Sequence, residues 1–568
     1  MPEIRNQAWE ISIFRRIIWL LLSFAGGMLY AAALPPLNWN FAIFFALLPV
    51  LHCAANFRWR FAWLSGWCWG LGWALFSYQF LREIEWFVPY LLAPVMALWP
   101  ALWAALLPKL RQWIYFPGSA VLWTAREKNE YLNSRLPWYR ALGFALAAAA
   151  LYTLVEWTRS RLFVWNDFSV TQWRNLPLIQ ISAITGSYGI GFLIAWCNTA
   201  LYGVIGCRRK AGVLQLIPAV LCFAAVMLYG IFRLEALDKL PLSPDVLRAG
   251  LVQCDLSQRR RATESQILEA IEVCTGLSRK LAARKPDLII WPESAVPIPL
   301  TSAGYAGEVF RREFSALIRE TATPHLTGML AFKKSSGGSD EWQVTNSALF
   351  FDPRKRSVDR YDKIHRVPFG EYVPFRKFLP QALVDAVDMG RDLAPGNNFE
   401  PLTIRQNVRA SVAVCYEGVF SYLIRKFALR NCNLLIVISN DAWYPASSEP
   451  EQHLANAVIR SVESGLTMIR CGNNGGSGVV TPAGRFTQYI GSKSHRPELL
   501  RERAYGIVEV PIYPPGSGNT FYIRHGEWFI LLLALGMSAV VICGIIFEHN
   551  RRHAASNLIN GENKKNES

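Results

Sequence analysis

The chain has 568 residues, of which 52% are hydrophobic and only 18% are charged, with 59 Lys and Arg against 42 Asp and Glu. This composition is too apolar for an ordinary soluble enzyme and too rich in aromatic residues for a disordered chain. The net charge of +17 would suit nucleic acid or anionic lipid. Because the basic residues lie between hydrophobic runs and form no single stripe, we expect a membrane protein with no nucleic-acid partner.

Eight nearly uncharged runs come close to the roughly 20 residues that a helix needs to cross a bilayer. Trp and Tyr lie at their boundaries, as is typical of residues that prefer the membrane interface. The runs are 17–34, 41–56, 61–81, 86–108, 141–157, 178–206, 213–232 and 528–547. We predict a membrane domain over 1–235 with seven helices, a globular domain over 245–515, an eighth helix and a tail over 548–568.

The Lys and Arg of the short loops predict the orientation, because these residues concentrate in cytoplasmic loops. The flanks on one side, which include the long loop 111–139, hold 18 Lys and Arg, and the opposite short loops hold 4. We therefore expect both termini in the cytoplasm and the globular domain on the outer face.

Short β-like runs alternate with helical patterns from residue 247 onward. The runs are 247–254, 287–293, 345–351, 408–417 and 433–441, and the helical patterns lie near 263–283, 306–321 and 450–464. Buried strands separated by helices indicate an α/β layered domain. Such domains bind ligands at the carboxyl ends of their strands.

Three residues whose side chains can take part in catalysis follow such runs. Glu293 ends DLIIWPE, Lys363 lies in YDKIHRVPFGEYVPF, and Cys415 lies in SVAVCYE at a strand-to-helix turn, where a thiol is exposed as a nucleophile. Each has an ordinary alternative on its own: a helix N-terminal carboxylate, a surface charge and a core cysteine. Their combination favours a catalytic site.

The order Glu, Lys and Cys at successive strand ends resembles the nitrilase, or carbon–nitrogen hydrolase, superfamily. Several motifs resemble one family of it, the apolipoprotein N-acyltransferases. These motifs are WPES (291–294), HRVPFGEYVPF (365–375), CYE (415–417), NDAWY (440–444) and QH (452–453), with FSVTQW (168–173) and GSYGIGFL (186–193) as weaker matches. The resemblance implies an αββα sandwich domain in the periplasm of a diderm bacterium, inserted before the last of eight helices in the inner membrane.

The resemblance also implies a two-step acyl transfer. A phospholipid donates an acyl chain to Cys415 as a thioester, and the α-amine of a diacylglyceryl lipoprotein then accepts it. Glu293 would be the general base, and Lys363 would stabilise the oxyanion together with the backbone N–H of Tyr416. Glu371 and Glu417 would orient Lys363 and Glu293, and Tyr416 would shape the wall that receives the acyl chain.

Other residues have more modest interpretations. His365 and His453 are favoured as structural hydrogen-bonding residues over bases, and Glu156 is either a functional charge in the membrane or an interface residue beside Trp157. The segment 375–390 is either an apolar lid that dips into the outer leaflet or a helix packed on the domain core.

We expect a monomer without a metal or an organic cofactor, since the cysteines fit no metal pattern. Two other functions fit less well: a membrane-tethered amidase or nitrilase, and a catalytically dead nitrilase-like module of a sensor or transporter. The sequence departs from the family near Ala262, where a Trp is missing, and at Gly472, within CGNNGG (471–476).

Overall fold

The computed structural model describes residues 2–566 except 117–135, 207–209, 242, 259–261, 335–341, 356, 382–383, 385–391, 445–446, 493–500 and 517. The helices of the membrane half are α1 (Pro2–Ala33), α2 (Leu48–Asn56), α3 (Trp59–Ser77), α4 (Val88–Met96), α5 (Leu98–Tyr115), α6 (Trp138–Leu162), α7 (Leu176–Ile179), α8 (Ser182–Thr185), α9 (Ser187–Gly206) and α10 (Lys210–Asp238). The long loop 111–139 lies largely outside the described residues.

Six helical segments of the described residues are long and apolar enough to cross a membrane. They are Ile13–Ala33, Val88–Tyr115, Trp138–Leu162, Ser187–Ile205, Ala211–Asp238 and Trp528–Asn550. The prediction of several apolar helices is confirmed, whereas the count of eight is not. The run 41–56 forms a short 3-10 turn and the nine-residue α2. The run 61–81 forms α3, whose many Trp and Gly residues make it less apolar than its length suggests.

Small residues let α1 and α3 pack against each other closely. A Cβ added at Gly27 would collide with the backbone oxygen of Trp69, and one added at Gly72 would collide with that of Phe24. Small residues at helix contacts are common in membranes, since van der Waals packing replaces the hydrophobic driving force there.

The globular domain consists of two six-stranded sheets. Its strands are β1 (Val246–Gln253), β2 (Leu288–Ile290), β3 (His325–Lys334), β4 (Trp342–Phe351), β5 (Val358–Asp362), β6 (Leu402–Arg405), β7 (Val408–Val414), β8 (Leu434–Ser439), β9 (Met468–Gly472), β10 (Gly478–Val480), β11 (Phe486–Thr487) and β12 (Ala504–Pro511). The sheet orders are β12-β1-β2-β3-β4-β5 and β11-β10-β9-β8-β7-β6.

Each sheet has a parallel centre and antiparallel edges. The strands β1, β2 and β3 are parallel neighbours, as are β7, β8 and β9. Every residue of β8 is buried, which explains its continuous apolar sequence LLIVIS. The parallel strands bring their carboxyl ends to one edge, where the sequence-predicted residues follow.

Helices cover the outer faces of both sheets. An outer layer of α11 (Glu264–Ala282) and α12 (Tyr305–Thr321) packs on the first sheet. A membrane-side layer of α13 (Ser421–Ala428) and α14 (Glu449–Ser464) packs on the second, and α15 (Phe521–His525) leads to α16 (Trp528–Asn566). The predicted nitrilase-like α/β fold is thereby confirmed.

Candidate active site

Three strand ends bring the predicted reactive side chains together. Glu293 lies just beyond β2, Lys363 follows β5 directly, and Cys415 follows β7 directly. The Lys363 Nζ atom lies 3.3 Å from Glu293 Oε1, and both side chains are buried. The charges of Glu293 and Lys363 both act on the Cys415 thiol. The positions after these strands therefore converge on one site.

Lys363 lies between two carboxylates. Its Nζ donates to Glu371 Oε1 at 3.0 Å and to Glu293 Oε1 at 3.3 Å. Burial alone would lower the pKa of Lys363, but the charges of Glu293 and Glu371 outweigh it and raise that pKa well above the usual value. The ammonium is therefore a permanent positive charge beside the thiol.

Asn346, on β4, is a site residue that the sequence reasoning missed. Its Nδ2 donates to Glu293 Oε1 at 2.7 Å and to Glu371 Oε1 at 2.8 Å. Together with Lys363 it holds the two carboxylates in fixed positions. The available signal was an Asn within the strand TNSALFF, because Asn is depleted from strands unless it has a partner.

Glu371 and Glu417 hold the loop that carries Lys363. Glu371 Oε2 accepts from the backbone N–H of Val367 at 2.8 Å. Glu417 accepts from the backbone N–H groups of Ile364, His365 and Val414 at 2.7–2.9 Å and from the Tyr361 hydroxyl at 2.9 Å. Glu417 thus orients Lys363 and Cys415 through their flanking backbone, while the contacts of Glu371 reach Lys363 itself.

Cys415 adopts a left-handed backbone conformation, with φ of 54°. This conformation is costly for a residue with a Cβ, and such strain is typical of functional turns. Burial and the charge of Glu293 raise the pKa of the Cys415 thiol well above its usual value, and Lys363 opposes the shift. The thiol is therefore protonated at neutral pH and needs a base to become a nucleophile.

The two histidines of the predicted motifs differ in their contacts. His365 lies edge-on against Phe420, with ring centroids 3.8 Å apart. Burial and the Lys363 charge lower the pKa of His365 to about 4, so it is neutral. His453 instead contacts the nucleophile: its Nε2 lies 3.1 Å from the backbone oxygen of Cys415.

Cys415, Asp441 and His453 together offer three donor atoms within 4.8 Å of one another, a set that could hold a metal ion. Both ring nitrogens of His453 already have partners, since Nδ1 binds Asp441 at 3.0 Å and Nε2 binds the Cys415 carbonyl. The arrangement therefore favours a hydrogen-bonded chain over a set of metal ligands.

Aromatic side chains of both domains form a wall over the site. The Tyr416 ring lies 6.0 Å from Trp165, whose ring lies 5.5 Å from Phe80, and Phe80 lies 5.3 Å from Tyr444. An aromatic surface of this kind suits an acyl chain. Next to Phe80 is a cavity of about 690 Å³ with a mixed polar and apolar lining. It is lined by Pro36, Gln79, Phe80, Arg82, Glu83, Trp86, Ser447 and Ser448.

Glu156 helps to hold the loop of this wall. Its carboxylate lies 3.7 Å from the buried guanidinium of Arg159. Arg159 donates to the backbone oxygens of Phe163 and Trp165 at 3.2 and 3.1 Å. Glu156 is buried, so its contacts are those of a buried ion pair and not of a residue exposed at the membrane interface.

Helix α14 fastens the globular domain to the membrane domain. Gln452 Oε1 accepts from Trp165 Nε1 at 2.9 Å and from Asn166 Nδ2 at 2.8 Å, and its Nε2 donates to the backbone oxygens of Pro35 and Ser77. The next residue is His453, which contacts Cys415. Cys415 and the membrane loops are therefore contacted by neighbouring residues of one helix.

The segment 375–390 is described only in part, since 382–383 and 385–391 lie outside the described residues. Phe375 and Phe378 flank a 3-10 turn (Arg376–Phe378) and are 77% and 85% exposed. Val373 and Val384 form a small apolar cluster with Leu379. The turn therefore presents two aromatic rings to the surroundings beside the loop of Lys363.

The departure at Gly472 lies next to residues that support Glu293. Asn473 donates to the backbone oxygen of Leu256 at 2.7 Å and to Asn440 Oδ1 at 3.0 Å. Asn440 Nδ2 in turn donates to the backbone oxygen of Glu293 at 3.3 Å. The turn CGNNGG thus contributes to holding the loop that carries Glu293.

Comparison with known proteins finds a matching family for each half of the chain. A family model described as "Apolipoprotein N-acyltransferase N-terminal domain" matches residues 26–200, and one described as "Carbon-nitrogen hydrolase" matches residues 248–494. The "Apolipoprotein N-acyltransferase" of Geobacter metallireducens is 32% identical over 73% of this chain and 76% of its own length. That of Brucella suis is 28% identical over 74% and 76%. Among solved structures, an amidase of Nesterenkonia sp. is 18% identical, covers 51% of this chain and 99% of its own, and has a TM-score of 0.33.

Proposed function

The chain belongs to the apolipoprotein N-acyltransferase family, and from this premise we propose how its residues perform the reaction and how it lies in the membrane. As a member of the family it is a membrane-embedded bacterial acyltransferase that N-acylates lipoproteins. We propose Cys415 as the nucleophile, Glu293 as the general base and Lys363 as the cation that stabilises the oxyanion.

In the first step Glu293 takes the thiol proton, and Cys415 Sγ attacks the sn-1 ester carbonyl of a phospholipid. Lys363 Nζ and the backbone N–H of Tyr416 stabilise the negative oxygen of the tetrahedral intermediate; one such donor typically contributes about 3 kcal/mol. The ester C–O bond breaks, Glu293 returns its proton to the leaving oxygen, and a lysophospholipid departs. The acyl chain remains on Cys415 as a thioester.

In the second step the neutral α-amine of a diacylglyceryl-cysteine lipoprotein attacks the thioester carbonyl. Glu293 accepts the amine proton as the C–N bond forms, and the proton passes to the departing Cys415 sulfur. The products are an amide on the lipoprotein and the free thiol. Lys363 serves the same oxyanion position in both steps.

The observation that carries this proposal is the position of Lys363. Its Nζ lies 3.3 Å from the proposed base, and its charge acts on the buried thiol of Cys415. The aromatic wall of Tyr416, Trp165 and Phe80 comes from both domains and lies over the same site. An apolar wall over a thiol suits a long acyl chain better than a small amide.

For the arrangement in the membrane we propose eight helices, with α2 and α3 among them. The ratio of 18 to 4 Lys and Arg in the flanking loops supports cytoplasmic termini and a periplasmic catalytic domain over 245–515, after the membrane domain over 1–235. The eighth helix would span 528–547 of the inner membrane. We further propose that the protein acts as a monomer, with no metal or organic cofactor.

The direct test is transfer by the purified full-length protein in detergent. It would be incubated with phospholipid and a synthetic diacylglyceryl-cysteine peptide, and the peptide mass would be followed. We expect one added acyl chain with the wild type and none with Cys415→Ala. Cys432→Ala is the control, since Cys432 is another free thiol of this domain, fully buried and away from Glu293 and Lys363. An unmodified peptide with the folded wild type, or ammonia release from amides, would contradict the proposal.

A further inference from the structure

Four charged or titratable side chains form a buried cluster behind Cys415. Asp441 follows β8, His453 and Glu449 lie on α14, and Arg470 lies on β9. All four side chains are buried. We call this set the nucleophile support. The mechanism above gives it no role, although it contacts the backbone of the nucleophile.

The contacts of the nucleophile support form a continuous chain. Arg470 binds Asp441 Oδ2, Asp441 Oδ1 lies 3.0 Å from His453 Nδ1, and His453 Nε2 lies 3.1 Å from the Cys415 carbonyl oxygen. Arg470 Nη2 and Glu449 Oε1 also approach His453 Nδ1, at 3.4 and 3.6 Å. One side of the imidazole thus faces the carboxylate, and the other faces the nucleophile turn.

The partners of His453 determine which ring nitrogen donates to the turn at Cys415. Burial alone would raise the pKa of Asp441, but Arg470 and His453 outweigh it and lower that pKa, so Asp441 is an anion. The Cys415 carbonyl oxygen only accepts hydrogen bonds. The 3.1 Å contact to this oxygen therefore requires a hydrogen on His453 Nε2.

We propose that His453 is a positioning residue for the nucleophile, which holds Cys415 in its left-handed turn by donating Nε2–H to the Cys415 carbonyl. The turn at Cys415, with φ of 54°, needs such support because a side chain disfavours it. With the turn held, Sγ keeps its direction toward Glu293 and Lys363. The role rests on the proposed function of Cys415 as the nucleophile.

The test compares His453→Phe, which fills the space without N–H groups, with His453→Gln, which keeps one donor. For His453→Phe we expect the rate of Cys415 acylation by phospholipid to fall about 10²-fold, as misplacement of a reacting group typically costs. The phospholipid KM should stay within about twofold, since a phenyl ring keeps the contact with Trp165 of the wall. His453→Gln should recover part of the rate, because it restores the bond to the Cys415 carbonyl.

A second readout needs no lipid and therefore separates this proposal from the acyl-transfer mechanism. Alkylation of Cys415 by iodoacetamide, followed on its peptide by mass spectrometry between about pH 6 and 10, reports the thiolate directly. The midpoint should shift in His453→Phe, because Sγ is no longer held in its position beside the Glu293 and Lys363 charges that act on the thiol. In the control His325→Phe the midpoint should stay in place. His325 is equally buried, but it begins β3, whereas the site lies beyond the carboxyl ends of the strands.

Three results would overturn the role of His453. The first is a wild-type acylation rate in His453→Phe. The second is an alkylation profile identical to that of the wild type. The third is equal damage in the Phe and Gln variants. A wild type that is never acylated, but whose alkylation midpoint shifts in His453→Phe, would contradict the acyl-transfer function and leave the positioning role intact.

Discussion

The two helical layers of the globular domain differ in where they keep their polar residues. The outer layer, α11 and α12, exposes its charged side chains; Arg279, for example, pairs with Glu320 at the surface. In the membrane-side layer every residue of α14 is buried, including Gln452, His453 and Arg460. Buried polar groups are costly unless each has a partner. Gln452 contacts the membrane loops, His453 contacts Cys415, and Arg460 contacts Glu463 and Val419. Helix α14 therefore contributes position, whereas the outer layer contributes apolar packing.

Replacing one arginine in each layer should give the largest difference in the free energy of unfolding. Arg460 is buried, with Nε 3.0 Å from Glu463 and Nη1 3.1 Å from the Val419 oxygen. We expect Arg460→Met to lower the free energy of unfolding by about 3–5 kcal/mol, because it leaves a buried charge unpaired. Arg279→Met should cost at most about 1 kcal/mol, since its ion pairs are solvated. Thermal unfolding of the purified variants measures both, and equal losses would contradict the comparison.

Replacing Lys363 tests whether a lysine of the proposed active site matters more for activity than a lysine elsewhere in the domain. Lys363→Met removes the ammonium between Glu293 and Glu371 and should slow acylation of Cys415 by about 10²–10³-fold. Lys333→Met, on a half-buried lysine of β3, should leave the rate unchanged. Single-turnover acylation provides the measurement. A Lys363→Met enzyme with more than a tenth of the wild-type rate would exclude Lys363 as the oxyanion donor.

Glu417, which lies beside Lys363 and Cys415, should make the free energy of unfolding depend on pH. Burial raises the pKa of Glu417 from 4.5 to about 7, against the opposition of its backbone N–H donors. The folded protein then binds more protons than the unfolded chain between these values. The contribution is complete below pH 4.5 and is lost as the pH rises to about 7, a change of about 3 kcal/mol.

The measurement for Glu417 is the unfolding midpoint of wild type and Glu417→Gln across this pH range. The wild type should lose stability relative to the variant as the pH rises. Glu308→Gln, on an exposed residue of α12, should follow the wild type throughout. Parallel curves for wild type and Glu417→Gln would show that Glu417 has the same pKa in the folded and unfolded chains.

The smallest expected effect concerns the exposed rings beside the site. Phe375 and Phe378 follow the Lys363 loop, and we expect them to contact lipid. Replacing both with Ser should raise the phospholipid KM a few-fold and leave kcat unchanged, since only ground-state binding is lost. Val358→Ser, at the far end of β5, should change neither. A fall in kcat would instead place these residues in the catalytic machinery.

The convergence of Glu293, Lys363 and Cys415 could be predicted from sequence because their positions depend on local features. Glu293 and Cys415 each follow an apolar strand, and all three residues lie in specific motifs. Their partners could not be predicted in this way. Asn346 meets Glu293 across 53 positions of the chain, and Gln452 meets Trp165 across 287. Such pairs depend on sheet order and domain contact, which no local pattern encodes.

The membrane half shows the same limit of prediction from local sequence patterns. Hydropathy located the long helices, but it placed 178–206 in one run, where the structure has α7, α8 and α9. Gly186 lies between α8 and α9 with φ of 69°, and the Tyr522 ring lies where its Cβ would be. The break is therefore set by contact with α15, which hydropathy alone does not include.

The central claim is that Cys415 carries the acyl chain, and mass spectrometry of the protein itself tests it most directly. The purified enzyme would be incubated with phospholipid alone, digested, and its Cys415 peptide weighed before and after addition of a diacylglyceryl-cysteine peptide. We predict a hydroxylamine-labile acyl group on Cys415 that disappears as the acceptor gains the same mass. A folded, lipid-binding enzyme that modifies the acceptor without ever carrying an acyl group on Cys415 would contradict the account.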